Sequence, residues 1–349
     1  MRAFVQTGIG AFEERDIPAP RAGRGEVVLR VLAALTCGTD VKLLARGHPK
    51  IALPVTMGHE ACGEVVEVGE GVRDFGVGDR VVPGISGPCG KCRECRAGMS
   101  NLCVTAHGDR TWGAFAEFLR VPAGVVAANL HAVPAWLPDE TAAFLDPLAS
   151  VLHGWDRLSP TEGKLLVYGA GALGLLWAAT ARARGVPSIV AARGGAARLA
   201  IARAYGADVL DLEREGAESL AERAPAMAVD CTGDPDVWSR LPDLVAPGGK
   251  VLLFGGCAPG TTVAWEAERL HYSEISLVGS FHSTPANARE ALRMLAAGEI
   301  DPSPLVAGQG TLADLPRFLA AQAARQGIRY AVRPSPRSVK EARSDFVGT

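Results

Sequence analysis

Cys89, Cys92, Cys95 and Cys103 lie within fifteen residues, spaced C-x2-C-x2-C-x7-C. Four thiolates suit a tetrahedral zinc ion, and two-residue gaps let successive sulfurs turn toward one centre. A disulfide framework and chance clustering are the alternatives. Disulfides are favoured in short secreted chains. This chain has 349 residues and opens Met-Arg-Ala-Phe-Val-Gln, without the apolar stretch of a signal peptide. Glycines and charged residues between the cysteines fit a folded-back loop. The spacing predicts a closed, structural zinc site.

A second set of residues has the chemistry of an open site. Cys37-Gly-Thr39-Asp40 follows a strand-like run, and Gly58-His59-Glu60 comes about twenty residues later. A thiolate and an imidazole can share a zinc ion, leaving room for a carboxylate or water and for a substrate. Such an open position separates catalytic zinc from structural zinc. Taken singly, Cys37 reads as a small buried apolar residue and His59 as a core histidine. The neighbouring cysteine quartet is what raises them.

The third constellation is Gly169-Ala170-Gly171-Ala172-Leu173-Gly174, directly after the strand-like run Leu165–Tyr168 and opening a helix. In a G-x-G-x-x-G turn the first glycine permits the bend, the second admits a pyrophosphate and the third lets the helix pack closely. The end of the next strand, Ile189–Gly195, is where an NAD site carries a carboxylate for the ribose. Here it carries Arg193, with Arg198 one helical turn on. An arginine can pair with a 2′-phosphate, and the missing carboxylate removes repulsion against it. Arg193 as a plain solvated loop residue is the alternative. The substitution favours NADP(H) over NAD(H).

These residues need a scaffold, and the chain has room for about two domains at roughly 100–200 residues each. Hydrophobic residues make up 48% and charged residues 21%, ordinary for a soluble globular protein. Net charge is −2, from 36 basic and 38 acidic residues. That balance supplies neither the positive field for nucleic acid nor a basic membrane-binding face, so neither partner is expected. Eight cysteines without a secretory signal fit a reducing, cytoplasmic compartment. The uncharged run Leu165–Ala181 approaches a membrane span in length, but its three glycines fit strand, turn and buried helix better.

Up to about residue 150 the chain is rich in Gly, Pro and Val. Strands are predicted at Met1–Val5, Glu26–Ala33, Gly63–Val68 and Arg80–Val82. Beyond it, strands at Lys164–Tyr168, Ser188–Ala192, Met227–Val229, Lys250–Phe254 and Glu274–Val278 alternate with helical segments such as Ala196–Tyr205. Alternation of that kind implies a parallel sheet with crossover helices. Ala286–Ala297 reads as a further helix, and 335–349 as a polar tail or interface arm.

The chain resembles the zinc-dependent medium-chain dehydrogenase/reductases, in their sorbitol (iditol) and threonine dehydrogenase branch. The resemblance rests on the motifs above together with Gly-Asp-Arg-Val (78–81), Asp-Pro-Leu-Ala (146–149), Val-Asp-Cys-Thr-Gly (229–233) and Gly-Ser-Phe-His-Ser-Thr-Pro (279–285), in order to about Pro334. It implies an α/β fold: a GroES-like β-rich catalytic domain, 1–149 and 285–349, with a Rossmann doubly wound domain inserted at 150–284. It implies two zinc ions per chain, the catalytic one on Cys37, His59, Glu60 and Asp146. The branch usually has glutamate where Asp146 stands, one methylene longer. Asp146 is left to ligate after a backbone shift or to hold a bound water. Thr39 takes the place of the proton-relay hydroxyl, and Lys42 stands where a histidine often ends that relay. Gly169, Gly171, Ala172, Leu173, Gly174, Arg193, Arg198 and Thr232 are the implied cofactor contacts. His48 and Trp112 are candidate pocket residues. Cys62, Cys231 and Cys257 read as packing residues or loop neighbours of the cofactor, and His107, His131, His153 and His271 have no ligand spacing to one another.

The activity so implied is interconversion of a secondary alcohol, of polyol, sugar or cyclitol type, with its ketone, in a homodimer or homotetramer. A zinc-free quinone or enone reductase of the same fold, a zinc-binding interaction protein and a catalytically lapsed relative are the rival readings.

Overall fold

The computed structural model describes residues 1–47, 51–106, 108–216 and 218–334. His48, His107 and the segment 335–349 lie outside them. The chain forms two compact units. One comprises Met1–Pro147, Thr284–Gly298 and the chain from Pro302 onward; the other comprises Leu148–Ser283 with Glu299–Asp301.

In the first unit the spine is the long strand Val27–Leu35, nearly all of it buried. It pairs antiparallel with Ala61–Val68 and, at opposite ends, with Phe118–Val121 and Arg329–Val332. Val306–Gly310, Arg80–Pro83 and Leu130–Ala132 complete a seven-stranded sheet. Two register shifts between Val27–Leu35 and Ala61–Val68 bend the pair, as bulges do. Phe4, Leu29, Met57, Phe115, Leu315 and Phe318 share one core cluster, so helix Leu315–Ala323 packs with residues of the amino-terminal half. Phe318 stacks on Tyr330 with ring centroids 4.5 Å apart.

The second unit holds a six-stranded, wholly parallel sheet. Its order is Asp208–Asp211, Ser188–Ala192, Leu165–Tyr168, Met227–Asp230, Lys250–Leu253, Ser276–Gly279. The order reverses between Leu165–Tyr168 and Met227–Asp230, the switch point of a doubly wound Rossmann sheet. Three of the four inner strands, Leu165–Tyr168, Ser188–Ala192 and Met227–Asp230, are buried at every position, which explains why they read as apolar runs. The uncharged run from Leu165 divides into strand Leu165–Tyr168 and helix Ala172–Ala183. No described helix is long and apolar enough to cross a membrane.

The last strand begins at Ser276, two residues later than expected, because Glu274 sits at a left-handed φ of 51° in the turn after helix Ala267–Tyr272. The exposed edge strand Ala11–Asp16 (AFEERD) and the strand Asp208–Asp211 (DVLD) carry too many charges to show an apolar pattern.

Candidate active site and metal centres

Strand Val27–Leu35 ends at Thr36, and the chain turns into helix Gly38–Arg46 through Cys37. Cys37 is the helix N-cap: its Sγ accepts from the Thr39 N–H at 3.5 Å, while Asp40 reaches back to the Cys37 N–H at 2.8 Å. This is a capping box with cysteine in the usual Ser/Thr place, and the free N–H groups of a helix start favour negative charge there.

His59 arrives by a different device. Gly58 has φ +92°, and a Cβ there would lie 2.8 Å from the Phe115 nitrogen. Gly113 and Ala114 N–H groups bond the Gly58 carbonyl at 2.8 and 3.0 Å. Only glycine lets the two segments approach so closely, and that approach sets His59 and Glu60 beside the start of the helix.

Ligand atoms of Cys37, His59 and Glu60 all lie within 4.8 Å of one another. His59 Nε2 is 3.8 Å from Glu60 Oε1, and Nδ1 is 3.6 Å from Asp40 Oδ1. Glu60 Oε2 is held by Arg329, which is 2% exposed and also donates to the Thr36 carbonyl at 2.9 Å. The Trp112 indole stacks on the His59 ring, centroids 4.9 Å apart and planes 7° from parallel. Asp146, in the first turn of helix Leu145–Leu158, is outside the tight trio but close enough to feel its charge.

Asp146 and His59 hold their protons more tightly than usual. Burial and the Glu60 charge push Asp146 up to about 6. Burial alone would lower His59, yet Asp40 and Cys37 hold it well above its ordinary value. Arg329 is likewise held high by Glu60 and Cys37 against the effect of burial. Asp40 Oδ1 and His59 Nδ1 are buried without a hydrogen-bond partner. A pocket that favours a proton on Asp146 and on the His59 imidazole is short of positive charge, and a Cys/His/carboxylate set is one that zinc accepts. The residues fit the metal.

The cysteine quartet also converges, with all four sulfurs within 4.8 Å of one another. Helix Arg93–Arg96 is capped by Cys92 Sγ through the Cys95 N–H at 3.5 Å, and Cys89 N–H points at Cys103 Sγ at 3.3 Å. Burial opposes ionisation of Cys103, but the Cys89 N–H and Thr105 lower its pKa to about 5. None of the eight cysteines is in a disulfide. Thiols gathered around one point, with N–H groups aimed at the sulfurs, fit a closed zinc site.

In the second unit, Gly169 bends at φ +110° and helix Ala172–Ala183 begins after Gly171, with no side chain capping its N–H groups. A Cβ on Gly174 would stand 1.9 Å from the Gly169 carbonyl oxygen, so the helix lies hard against its own turn. That leaves a bare helix start for an anion. Thr232 lies against Gly169 and is tied down by Asp230, which also accepts from Gly233 N–H and Trp238 Nε1, both at 2.9 Å. Arg193 is exposed at the end of Ser188–Ala192 and Arg198 partly so.

Residues 23–134 match the alcohol dehydrogenase GroES-like domain, and 172–297 match the zinc-binding dehydrogenase domain. D-altritol 5-dehydrogenase of Agrobacterium fabrum is 36% identical over 301 residues, covering 84% of this chain and 86% of that one. Sorbitol dehydrogenase of Halalkalibacterium halodurans is 31% identical, covering 96% and 99%. The chain belongs to the zinc-dependent medium-chain dehydrogenase family. Within it, the sorbitol/threonine dehydrogenase-like branch is its place, and it is an oxidoreductase acting on CH–OH groups. A Sinorhizobium meliloti 1021 protein solved with NADP bound superposes with a TM-score of 0.85 at 29% identity, covering 95% of this chain and 99% of that one.

Sequence reasoning assigned no role to several groups that shape this dehydrogenase's sites. Arg329 comes from a strand far along the chain, and the Asp40 carboxylate serves both the cap and His59. Asp211 and Glu213 are carboxylates that flank the Arg193 turn. Gly194 N–H bonds Asp211 Oδ1 at 3.4 Å, and Glu213 oxygens lie 3.1 Å from where a Gly194 Cβ would be. Among the other cysteines, Cys62 is fully buried and burial pushes it up to about 12; Cys231 is raised by burial as well. Among the described residues His59 is the one histidine in a possible metal group. Lys42 is exposed on helix Gly38–Arg46.

Proposed function

We propose that this dehydrogenase interconverts a secondary alcohol of polyol, sugar or cyclitol type with its ketone, using NADP(H) in preference to NAD(H). The observation that carries the reading is the meeting of Cys37, His59 and Glu60 within one 4.8 Å cluster. In this reading they hold the catalytic zinc, with Asp146 at the remaining position directly or through water. Cys89, Cys92, Cys95 and Cys103 hold a second, structural zinc, two per chain. The functional division is a catalytic domain of 1–149 and 285–349 around a nucleotide domain of 150–284.

Zinc supplies Lewis acidity toward a substrate oxygen, and the nicotinamide supplies the hydride acceptor. The protein's part is to position and to move protons. Arg329 ties down one oxygen of Glu60 and leaves the other beside His59. Thr39, whose N–H is bonded to the Cys37 sulfur, offers its hydroxyl to carry the alcohol proton away, with Lys42 further along the same helix. Gly169, Gly171, Ala172, Leu173 and Gly174 receive the pyrophosphate, Thr232 borders it, and Arg193 with Arg198 pairs the 2′-phosphate. The NADP found with the Sinorhizobium meliloti protein supports that choice for a relative of this fold. The named polyol activities of the altritol and sorbitol relatives support the substrate class. A homodimer or homotetramer in the cytoplasm completes the proposal.

The test is a screen of purified enzyme against polyols, cyclitols, threonine and simple secondary alcohols, each with both cofactors, beside elemental analysis. Polyol turnover with about two zinc per chain is expected. A metal-free enzyme with full activity, or faster turnover with NAD, would overturn the corresponding part.

A further inference from the structure

Given His59 as a ligand of the catalytic metal, as proposed above, something must hold the plane of its imidazole. A ligand histidine is ordinarily oriented by a hydrogen bond from its second nitrogen. His59 has none among the described residues. Nδ1 stands 3.6 Å from Asp40 Oδ1, and both atoms are buried without a hydrogen-bond partner. On the other edge Nε2 is 3.8 Å from Glu60 Oε1. Both separations are longer than a close hydrogen bond, so Asp40 and Glu60 flank the edges of the buried ring and leave part of its orientation to whatever packs on its face.

What meets the face of the ring is Trp112, with centroids 4.9 Å apart and planes 7° from parallel. The indole is itself placed by backbone bonds on either side. Thr111 N–H bonds the Ile85 carbonyl at 3.0 Å, and Gly113 N–H bonds the Gly58 carbonyl at 2.8 Å. Gly58 immediately precedes His59, so one stitch fixes both members of the stack. The Trp112 Nε1–H is buried and finds no acceptor among the described residues. Trp177 also has an unpaired indole, but against Trp155 and Phe254 in an apolar core. The unpaired N–H is therefore not what sets Trp112 apart; the stack on His59 is.

We propose that Trp112 is a positioning residue of the catalytic metal site, its indole face holding the His59 imidazole in the plane that turns Nδ1 toward Asp40 and Nε2 toward Glu60. A flat ring of any kind does this work; an aliphatic side chain of similar bulk does not.

The experiment compares the full chain with Trp112→Leu and Trp112→Phe, stripped of metal and reloaded. Zinc affinity is read by competition with a chromogenic chelator, and site geometry by the visible absorption of the cobalt(II) form. In Trp112→Leu one of the two ion sites weakens by about 10–100-fold and its cobalt bands shift, while the other ion is unaffected. Trp112→Phe restores both readouts to within a few-fold, which also shows that loss of folding is not the cause. A Leu variant that binds both ions and absorbs like the native chain overturns the proposal. So does a Phe variant as impaired as the Leu one, since the N–H and not the stack would then matter. If Cys37→Ser leaves metal uptake of the native chain unchanged, the ligand reading of His59 fails first, and the role of Trp112 with it.

Discussion

Asp146 and His59 both bind a proton more tightly in the folded, metal-free chain than in an unfolded one. Wherever the native state holds more protons than the unfolded state, stability falls as pH rises. For Asp146 the window runs from its ordinary value near 3.8 up to about 6, and the loss amounts to at most about 3 kcal/mol. For His59 it continues upward from 6.5. A bound cation removes the need for those protons. Melting curves from pH 5 to 8 are thus expected to show the gap between metal-loaded and metal-free protein widening with pH; a constant gap would contradict the account. The Arg193 turn makes a second prediction at this scale. The Glu213 carboxylate lies against Gly194, and on the proposed NADP reading it would repel the 2′-phosphate that Arg193 would attract. Glu213→Gln should tighten binding of 2′,5′-ADP several-fold and leave 5′-AMP unchanged by calorimetry, whereas Arg193→Ala should weaken 2′,5′-ADP alone. Cys37, His59 and the quartet were legible because each sits in a short motif whose spacing carries its meaning. Arg329 was not legible as a site residue, and Trp112 was legible only as a candidate pocket residue, not as the partner of His59, since nothing local marks a strand residue or a loop indole as the neighbour of a group that joins it only in the folded sheet.

The elements make those residues usable. The Cys-Gly-Thr-Asp motif is at once a helix cap and the proposed ligand loop, so the signal that starts a helix also aims the Cys37 sulfur. Five of the six parallel strands of the second unit were easily read because each is short and largely apolar; Asp208–Asp211 was not, because two of its four residues are acidic. Val306–Gly310 and Arg329–Val332 were not, because their partners lie elsewhere in the chain and one of them is glycine-rich. Gly174 offers the sharpest test at this scale. A methyl group there would fall 1.9 Å from the Gly169 carbonyl, so helix Ala172–Ala183 must withdraw from the turn. Gly174→Ala is expected to lower stability by about 1–3 kcal/mol and to weaken dinucleotide binding by at least tenfold. Denaturant midpoints and cofactor fluorescence check both, and an unchanged cofactor affinity would mean that the bare helix start is not the pyrophosphate site.

At the scale of the whole molecule, the Cys37–His59–Glu60 cluster is built entirely from residues of the first unit, and the glycine turn with Arg193 and Thr232 entirely from the second. Each unit also has its own core cluster, one around Phe115 and Leu315, the other around Leu166 and Val251. Effects at sites that share no partners add with little coupling. On the proposed assignment, binding of the nucleotide and occupancy of the metal cluster are therefore expected to be separable even though turnover needs both. Cys37→Ser or His59→Ala should reduce alcohol oxidation to background while the dissociation constant for NADP stays within about twofold. Conversely, Gly174→Ala should leave zinc content at the wild-type value while turnover at low cofactor falls. Measuring metal by elemental analysis and cofactor by fluorescence on the same preparations separates the two losses. If Cys37→Ser lost nucleotide affinity in parallel with activity, the metal cluster would be supporting the cofactor site itself, and the division of labour between the two units would have to be abandoned.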